Sequence, residues 1–260
     1  MRPHFPYSGH TEDPVLIVKE LVDALEIRPN QFSFQEWYRY LNCGYRVAVV
    51  GGTDKMGAGT ALGSLRTYAK LDHDAPLTYD NWAAAVRAGR TITTNGPMLD
   101  LRVEGVGIGG SIVLPAGGGT LEACANAECF SQLGRIEIVC NGKTVACEEA
   151  EKGSRVLSVR QAINVPASGW IAARCTGAQG QPSGYLAAHT SPVYVKCGET
   201  RAFDGPAMQH MLALVEGGIE YLNTLATVFD EPSRKRMAKL FKETRQEISG
   251  ILGQARRQTR

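Results

Sequence analysis

The chain has 260 residues, 43% of them hydrophobic, enough for one large domain or two ordinary ones with a substantial core. Its 28 Lys and Arg against 26 Asp and Glu leave a formal charge of +2, which offers no strong field for nucleic acid or an anionic membrane surface. No stretch approaches the ~18 apolar residues of a membrane span, and the opening Met-Arg-Pro-His-Phe-Pro-Tyr lacks the apolar run of a secretory signal.

In chain order, Val15, Leu16, Val18, Leu21, Val22 and Leu25 recur at helical spacing behind Thr11-Glu12-Asp13-Pro14, which suits an N-cap followed by proline. The end of that run, Asp23-Ala24-Leu25-Glu26-Ile27, reads either as the last helical turn or as the start of a buried strand. A second helix is expected over residues 33–42, with Phe34, Trp37, Tyr38 and Leu41 on one face and Gly44 as its stop. Arg46-Val47-Ala48-Val49-Val50 is a short apolar run ending in Gly51-Gly52-Thr53-Asp54, the pattern of a buried parallel strand delivering a polar residue to a rim. A strand over 65–71 and a helix over 78–88, capped by Thr78 and ended by Gly89, complete an α/β first part. Asn95-Gly96-Pro97 is a turn signal and serves as the expected domain junction.

Beyond it, alternating runs recur at 98–103, 111–114, 121–129, 135–140, 144–147, 156–165, 170–175 and 193–196, with Asn141-Gly142 as a two-residue hairpin turn. They predict an antiparallel, immunoglobulin-like β-sandwich. From about residue 206 the period becomes helical, broken near Asp230-Glu231-Pro232, which predicts a helical hairpin with a basic, solvated second helix. The seven cysteines form no C-x-x-C pair, so a structural zinc site is not indicated. They are read as mostly buried thiols in a reducing, cytoplasmic setting, with one or two cross-strand disulfides as the other reading.

Two polar residues stand where α/β chemistry would need them: His4 in Pro-His-Phe-Pro, and Asp54 after the 46–50 strand. Imidazole and carboxylate together suit zinc, manganese or iron, and two glycines before Asp54 let backbone approach a ligand. Against this stands the plain reading of an exposed terminal histidine and a loop-capping aspartate.

The stretch Trp37-Tyr38-Arg39-Tyr40-Leu41-Asn42-Cys43-Gly44-Tyr45-Arg46-Val47-Ala48-Val49-Val50-Gly51-Gly52-Thr53-Asp54-Lys55-Met56 resembles the CehA/McbA-type branch of the PHP metallohydrolases. So do Arg66-Thr67-Tyr68, Ala88-Gly89-Arg90-Thr91, Thr94-Asn95-Gly96-Pro97-Met98-Leu99, Ser168-Gly169-Trp170-Ile171-Ala172-Ala173-Arg174 and Ala188-His189-Thr190-Ser191-Pro192-Val193-Tyr194-Val195. Together they span most of residues 3–197. The resemblance implies a partial PHP-like (β/α) barrel over 1–96, a β-sandwich over 97–200 and a helical region over 201–260. It implies metal ligation by His4 and Asp54, with Asp54 also the catalytic carboxylate, and a divalent zinc, manganese or iron ion as cofactor.

Glu26 falls where the family has a strand nearing the rim, which makes it a candidate to orient the metal ligands from behind, or else it is a solvated helix end. Lys55, Arg90 and Asn95 are the next polar residues expected to face it, as oxyanion or substrate contacts; each also reads as surface charge or turn geometry. The chain departs from the family pattern in having no His-x-His pair before His4, and Met56 where many members carry a histidine. Two protein ligands fall short of the three usual at a catalytic zinc. The expectation is therefore a metal-dependent hydrolase of ester, amide, carbamate or phosphate bonds, with an incomplete site and little activity as this chain alone. Its partner would be a small-molecule substrate or an upstream half-domain chain, or a second copy in a homo-oligomer, with neither nucleic acid nor membrane. The alternative is an accessory protein that binds carbohydrate or protein through aromatics such as Trp170, Tyr185 and Tyr194. His189, close to Ser191, lacks the marks of a catalytic dyad and reads as structural.

Overall fold

Local sequence signals set most of the elements, and a computed structural model describes them over residues 11–29, 34–180, 185–226 and 230–258. Its contacts separate two units, one of residues 23–202 and one joining 1–22 with 203–260.

In the larger unit, the apolar run of the rim strand forms β2 (Ala48–Val50), which pairs in parallel with β1 (Ala24–Glu26), so the tail of the first apolar run is a strand. Helix α2 (Phe34–Asn42) buries Trp37, Tyr38, Tyr40 and Leu41. Helix α3 (Tyr79–Arg87) starts at Thr78, whose hydroxyl accepts from the Asn81 amide at 3.3 Å, and buries Ala85 and Val86.

The remaining strands are β3 (Arg66–Ala69), β4 (Thr91–Thr94), β5 (Met98–Val103), β6 (Val106–Gly107), β7 (Ser111–Leu114), β8 (Gly119–Cys140), β9 (Lys143–Val165), β10 (Gly169–Gly177), β11 (Ala187–Thr190) and β12 (Val193–Cys197). Among the described residues these ten form one curled, mostly antiparallel sheet, in the order β3-β4-β11-β10-β8-β5-β6. Strand β12 pairs with β10 and, in parallel, with β7, while β9 pairs with β8.

Four of the separate runs expected between 121 and 165 are thus the halves of two long strands joined at Asn141-Gly142. Both turn residues have positive φ, 48° and 84°, as a two-residue type I′ hairpin requires. Strand β8 offers one edge to β9 along its length and the other first to β5 and then to β10. That sharing curls the sheet. Leu99, Leu101 and Val103 of β5, Ala123 and Ala125 of β8, and Ile171 and Ala173 of β10 fill its core. Strands β3 and β4 belong to the same sheet, so the junction expected at Asn95-Gly96-Pro97 lies between two strands of it.

The small parallel pair is tied to the large sheet through hydroxyls. Every residue of β4, Thr91-Ile92-Thr93-Thr94, is buried. Thr91 Oγ1 donates to Val49 O at 2.6 Å, Thr93 Oγ1 donates to Ile27 O at 3.1 Å, and the Val49 amide donates to Ser191 Oγ at 2.9 Å. Thr67 Oγ1 of β3 joins both the amide and the carbonyl of Gly51, at 2.8 and 2.9 Å. A threonine-rich strand buried without cost is the result, since each of these hydroxyls is satisfied.

In the smaller unit, α4 (Gly205–Thr224) is capped by Asp204, which accepts from the Ala207 amide at 2.8 Å, and has Pro206 in its first turn. It buries Met208, Met211, Val215 and Leu222. Helix α5 (Glu231–Gln258) starts at the expected break and seats Phe241 over Gly218 of α4. The short helix α1 (Asp13–Val18) packs on both, and Lys19 pairs with Glu247 at 2.9 Å. No helix among the described residues is long and apolar enough to cross a membrane. All seven cysteines are free thiols, with Cys43, Cys175 and Cys197 buried and Cys147 exposed.

Candidate functional site

Parallel pairing carries the ends of β1 and β2 to one edge, the place where α/β proteins expose their chemistry. Glu26 closes β1, in register with Val50, and the chain leaves β2 through Gly51-Gly52-Thr53-Asp54. The Glu26 carboxylate lies against Gly52, where a Cβ would stand 3.4 Å from Oε1. Thr53 holds the loop: its hydroxyl donates to Leu65 O at 3.1 Å and accepts from the Gly63 amide at 3.0 Å. Asp54 has φ of 48°, a left-handed conformation that aspartate tolerates better than most residues. Its carboxylate faces Arg28 at 3.7 Å, with both side chains substantially exposed. Solvent screens such a pair to about 1 kcal/mol or less, so it orients the groups more than it stabilises the fold.

The structure brings Glu26 and Asp54 to one edge and adds Arg28, which sequence reasoning did not single out. Extended backbone places residues two apart on the same side, so Arg28 following Glu26 at that interval was the available signal. The other candidates point elsewhere. Lys55 Nζ turns back into its own loop, donating to the carbonyls of Gly57, at 2.9 Å, and Thr60. Arg90 pairs with Asp72 and borders a cavity of about 510 Å³ on the sheet with Lys70 and Asp100. Asn95 is a cross-brace: its Oδ1 accepts from the Ala187 amide and its Nδ2 donates to Tyr185 O, both at 2.7 Å. His4 lies outside the described residues.

No protein-family model and no curated protein matches this chain. The donor set must therefore be judged on its own chemistry. Among the described residues no group of three His, Cys, Asp or Glu side chains is placed to hold an ion. Two carboxylates, one of them already facing a guanidinium, do not make the three-ligand set of a catalytic metal.

A second cluster of titratable groups is buried where α2 meets β10 and β11. His189 is fully buried between Tyr38 and its own backbone: Nδ1 stands 2.8 Å from Thr190 O and Nε2 stands 2.5 Å from the Tyr38 hydroxyl. A carbonyl can only accept, so Nδ1 carries the proton and Nε2 accepts from Tyr38. Burial pushes the imidazole down to about 4, so it is neutral near pH 7. Beside it, Glu137 takes hydrogen bonds from Arg174 Nε at 2.5 Å, Arg135 Nη2 at 2.9 Å and Thr144 Oγ1 at 2.9 Å. Burial alone would raise the Glu137 carboxyl, but these donors, led by Arg174, hold it below the usual carboxylate range. Trp37 and Trp170 close the cluster, with the Tyr38 and Trp170 ring centres 4.7 Å apart. Trp170 is core, and of the three aromatics considered for surface recognition Tyr185 is the exposed one. Ser191 bonds Val49 and Thr91 rather than His189, in keeping with a structural role for that histidine.

Proposed function

We propose that the chain is a divergent relative of the PHP-type metallohydrolases, with a partial α/β barrel followed by an immunoglobulin-like β-region, and that its described residues form the edge of a hydrolytic site rather than a complete one. The reading rests on one observation: Glu26 ends β1 against Gly52 of the loop that leaves the C-terminal end of β2 and carries Asp54, which faces Arg28. In this reading Asp54 is a metal ligand, His4 a second, and Glu26 and Arg28 orient water or substrate around them. Further donors must come from beyond the described residues, because two carboxylates, one of them facing a guanidinium, hold a divalent ion weakly.

The test is calorimetric titration of the chain with manganese and zinc, alongside turnover of nitrophenyl acetate and nitrophenyl phosphate. Weak, saturable manganese binding that is lost in Asp54→Asn, without metal-dependent turnover, is the expected result. Fast turnover that Asp54→Asn abolishes would show a complete site. Metal binding indifferent to Asp54 would remove the rim from consideration.

A further inference from the structure

Arg46 enters β2 and Asp54 follows it, so the two residues mark opposite ends of that strand. At the Arg46 end lies a cavity of about 330 Å³, within the size range of small-molecule sites. Three cations line it, Arg46, Lys196 and Arg201, and no Asp or Glu does.

Both guanidiniums are held in place. Arg46 lies over the Tyr194 ring, 4.1 Å from its centre, and donates from Nη2 to Ser111 Oγ. Arg201 lies over the Tyr45 ring at 4.3 Å and donates from Nε to Cys43 O at 2.9 Å. Gly44 makes room for it: a Cβ there would stand 2.5 Å from Arg201 Cγ, and its φ of +76° suits glycine besides. Stacking and one hydrogen bond fix each plane while leaving further N–H groups to donate, so little ordering remains to be done when a ligand arrives. The third cation, Lys196, already neutralises an exposed carboxylate, Glu199, at 2.7 Å. Leu41 and Val113 supply an apolar wall.

We propose that this cavity is a binding site for a small organic oxyanion, a phosphate monoester or carboxylate whose head is taken by Arg46 and Arg201 and whose apolar body lies along Leu41 and Val113. It is independent of the rim reading, since none of its residues belongs to that edge. The requirement for an anion follows from two fixed guanidiniums that line one cavity without a carboxylate in its lining, so positive charge there is left for a ligand to neutralise.

The test is calorimetric titration of the full chain with phenyl phosphate, benzoate, inorganic phosphate and, as the uncharged control, benzyl alcohol. Phenyl phosphate or benzoate should bind saturably at one site, more tightly than inorganic phosphate, and benzyl alcohol should not bind. The preference between the first two identifies the head group. Arg46→Gln and Arg201→Gln should each weaken binding at least about tenfold, the loss of one charge-assisted hydrogen bond. Arg160→Gln, a surface arginine paired with Glu122, should leave it unchanged. If either cavity arginine variant fails to fold, Val113→Trp, at an exposed position lining the cavity, should still block binding. The proposal is overturned if no anion saturates, if the cavity variants that fold bind normally, or if Arg160→Gln weakens binding as much as they do.

Discussion

Replacing Glu137 with alanine should destabilise the larger unit by about 3 kcal/mol, the low end of what is lost when one partner of a buried ion pair is removed. Glu137 is 8% exposed, and its carboxylate accepts from Arg174, Arg135 and Thr144. Its removal leaves the Arg174 guanidinium beside the buried His189–Tyr38 pair without its counter-charge. The low end applies because Arg135 keeps a second carboxylate, Glu149, and Arg174 keeps Thr144 at 3.3 Å. Glu137→Gln retains an acceptor and should cost about half as much. Urea unfolding followed by tryptophan fluorescence reads the effect, since Trp37, Trp82 and Trp170 all lie in that unit. A loss under about 1 kcal/mol in Glu137→Ala would mean that the arginines find solvent and that the network contributes little.

Acid should act on the same cluster before it acts on surface carboxylates. The folded protein holds His189 down to about 4, from an ordinary value of 6.5. Above that ordinary value both folded and unfolded states carry a neutral imidazole and no penalty arises. As pH falls below it the unfolded chain takes a proton that the folded chain refuses, and stability drops by about 1.4 kcal/mol per unit. The loss levels off once the folded imidazole protonates too, for a total of about 3 kcal/mol. Glu137, held below its ordinary range, pulls in the same direction at lower pH: its contribution is present above its unfolded value and is lost as pH falls through its folded one. Urea midpoints at steps between pH 7 and 4 should therefore slope downward, and His189→Gln should flatten the upper part of that slope. A wild-type profile already flat between pH 6.5 and 4.5 would contradict the buried neutral imidazole.

The sequence told elements apart well where a local physical signal was strong. Thr78 caps α3, Asn141-Gly142 turns the long hairpin, β5 alternates buried and exposed as expected, and the apolar run before Gly51-Gly52 is a strand of a parallel pair. It was silent where pairing rather than burial sustains a strand. The stretch 148–152 falls between the runs expected at 144–147 and 156–165, yet it lies within β9, where Glu148 and Glu149 pair with Ile136 and Arg135 of β8 on an exposed face that needs no apolar alternation. The register shifts between Glu128 and Arg135 interrupt β8 in the same way, breaking its alternation around Leu133. Within the candidate site, Asp54 could be placed after the end of a strand because strand polarity is local, whereas Glu26 was left between a strand end and a solvated helix end. The partners of Arg90, Asn95 and His189 could not be placed, because they come from distant segments; Tyr38 and His189 are 151 residues apart.

The hydroxyl ties between the parallel pair and the large sheet set an order of assembly. Strands β8 and β9, 22 and 23 residues long, close through a two-residue turn, so their contacts are the least expensive in loop entropy. The Thr91–Ser191 bond spans 100 residues and can form only after β4 and β11 have met. Strands β1 and β2 have three residues each and rest on that bond, so they complete last and, by the same free energies, open first. Native-state amide exchange should therefore be slow in the paired interior of β8 and fast at Val49 and Val50. The parallel pair can thus open and re-form while the β8–β9 hairpin stays closed.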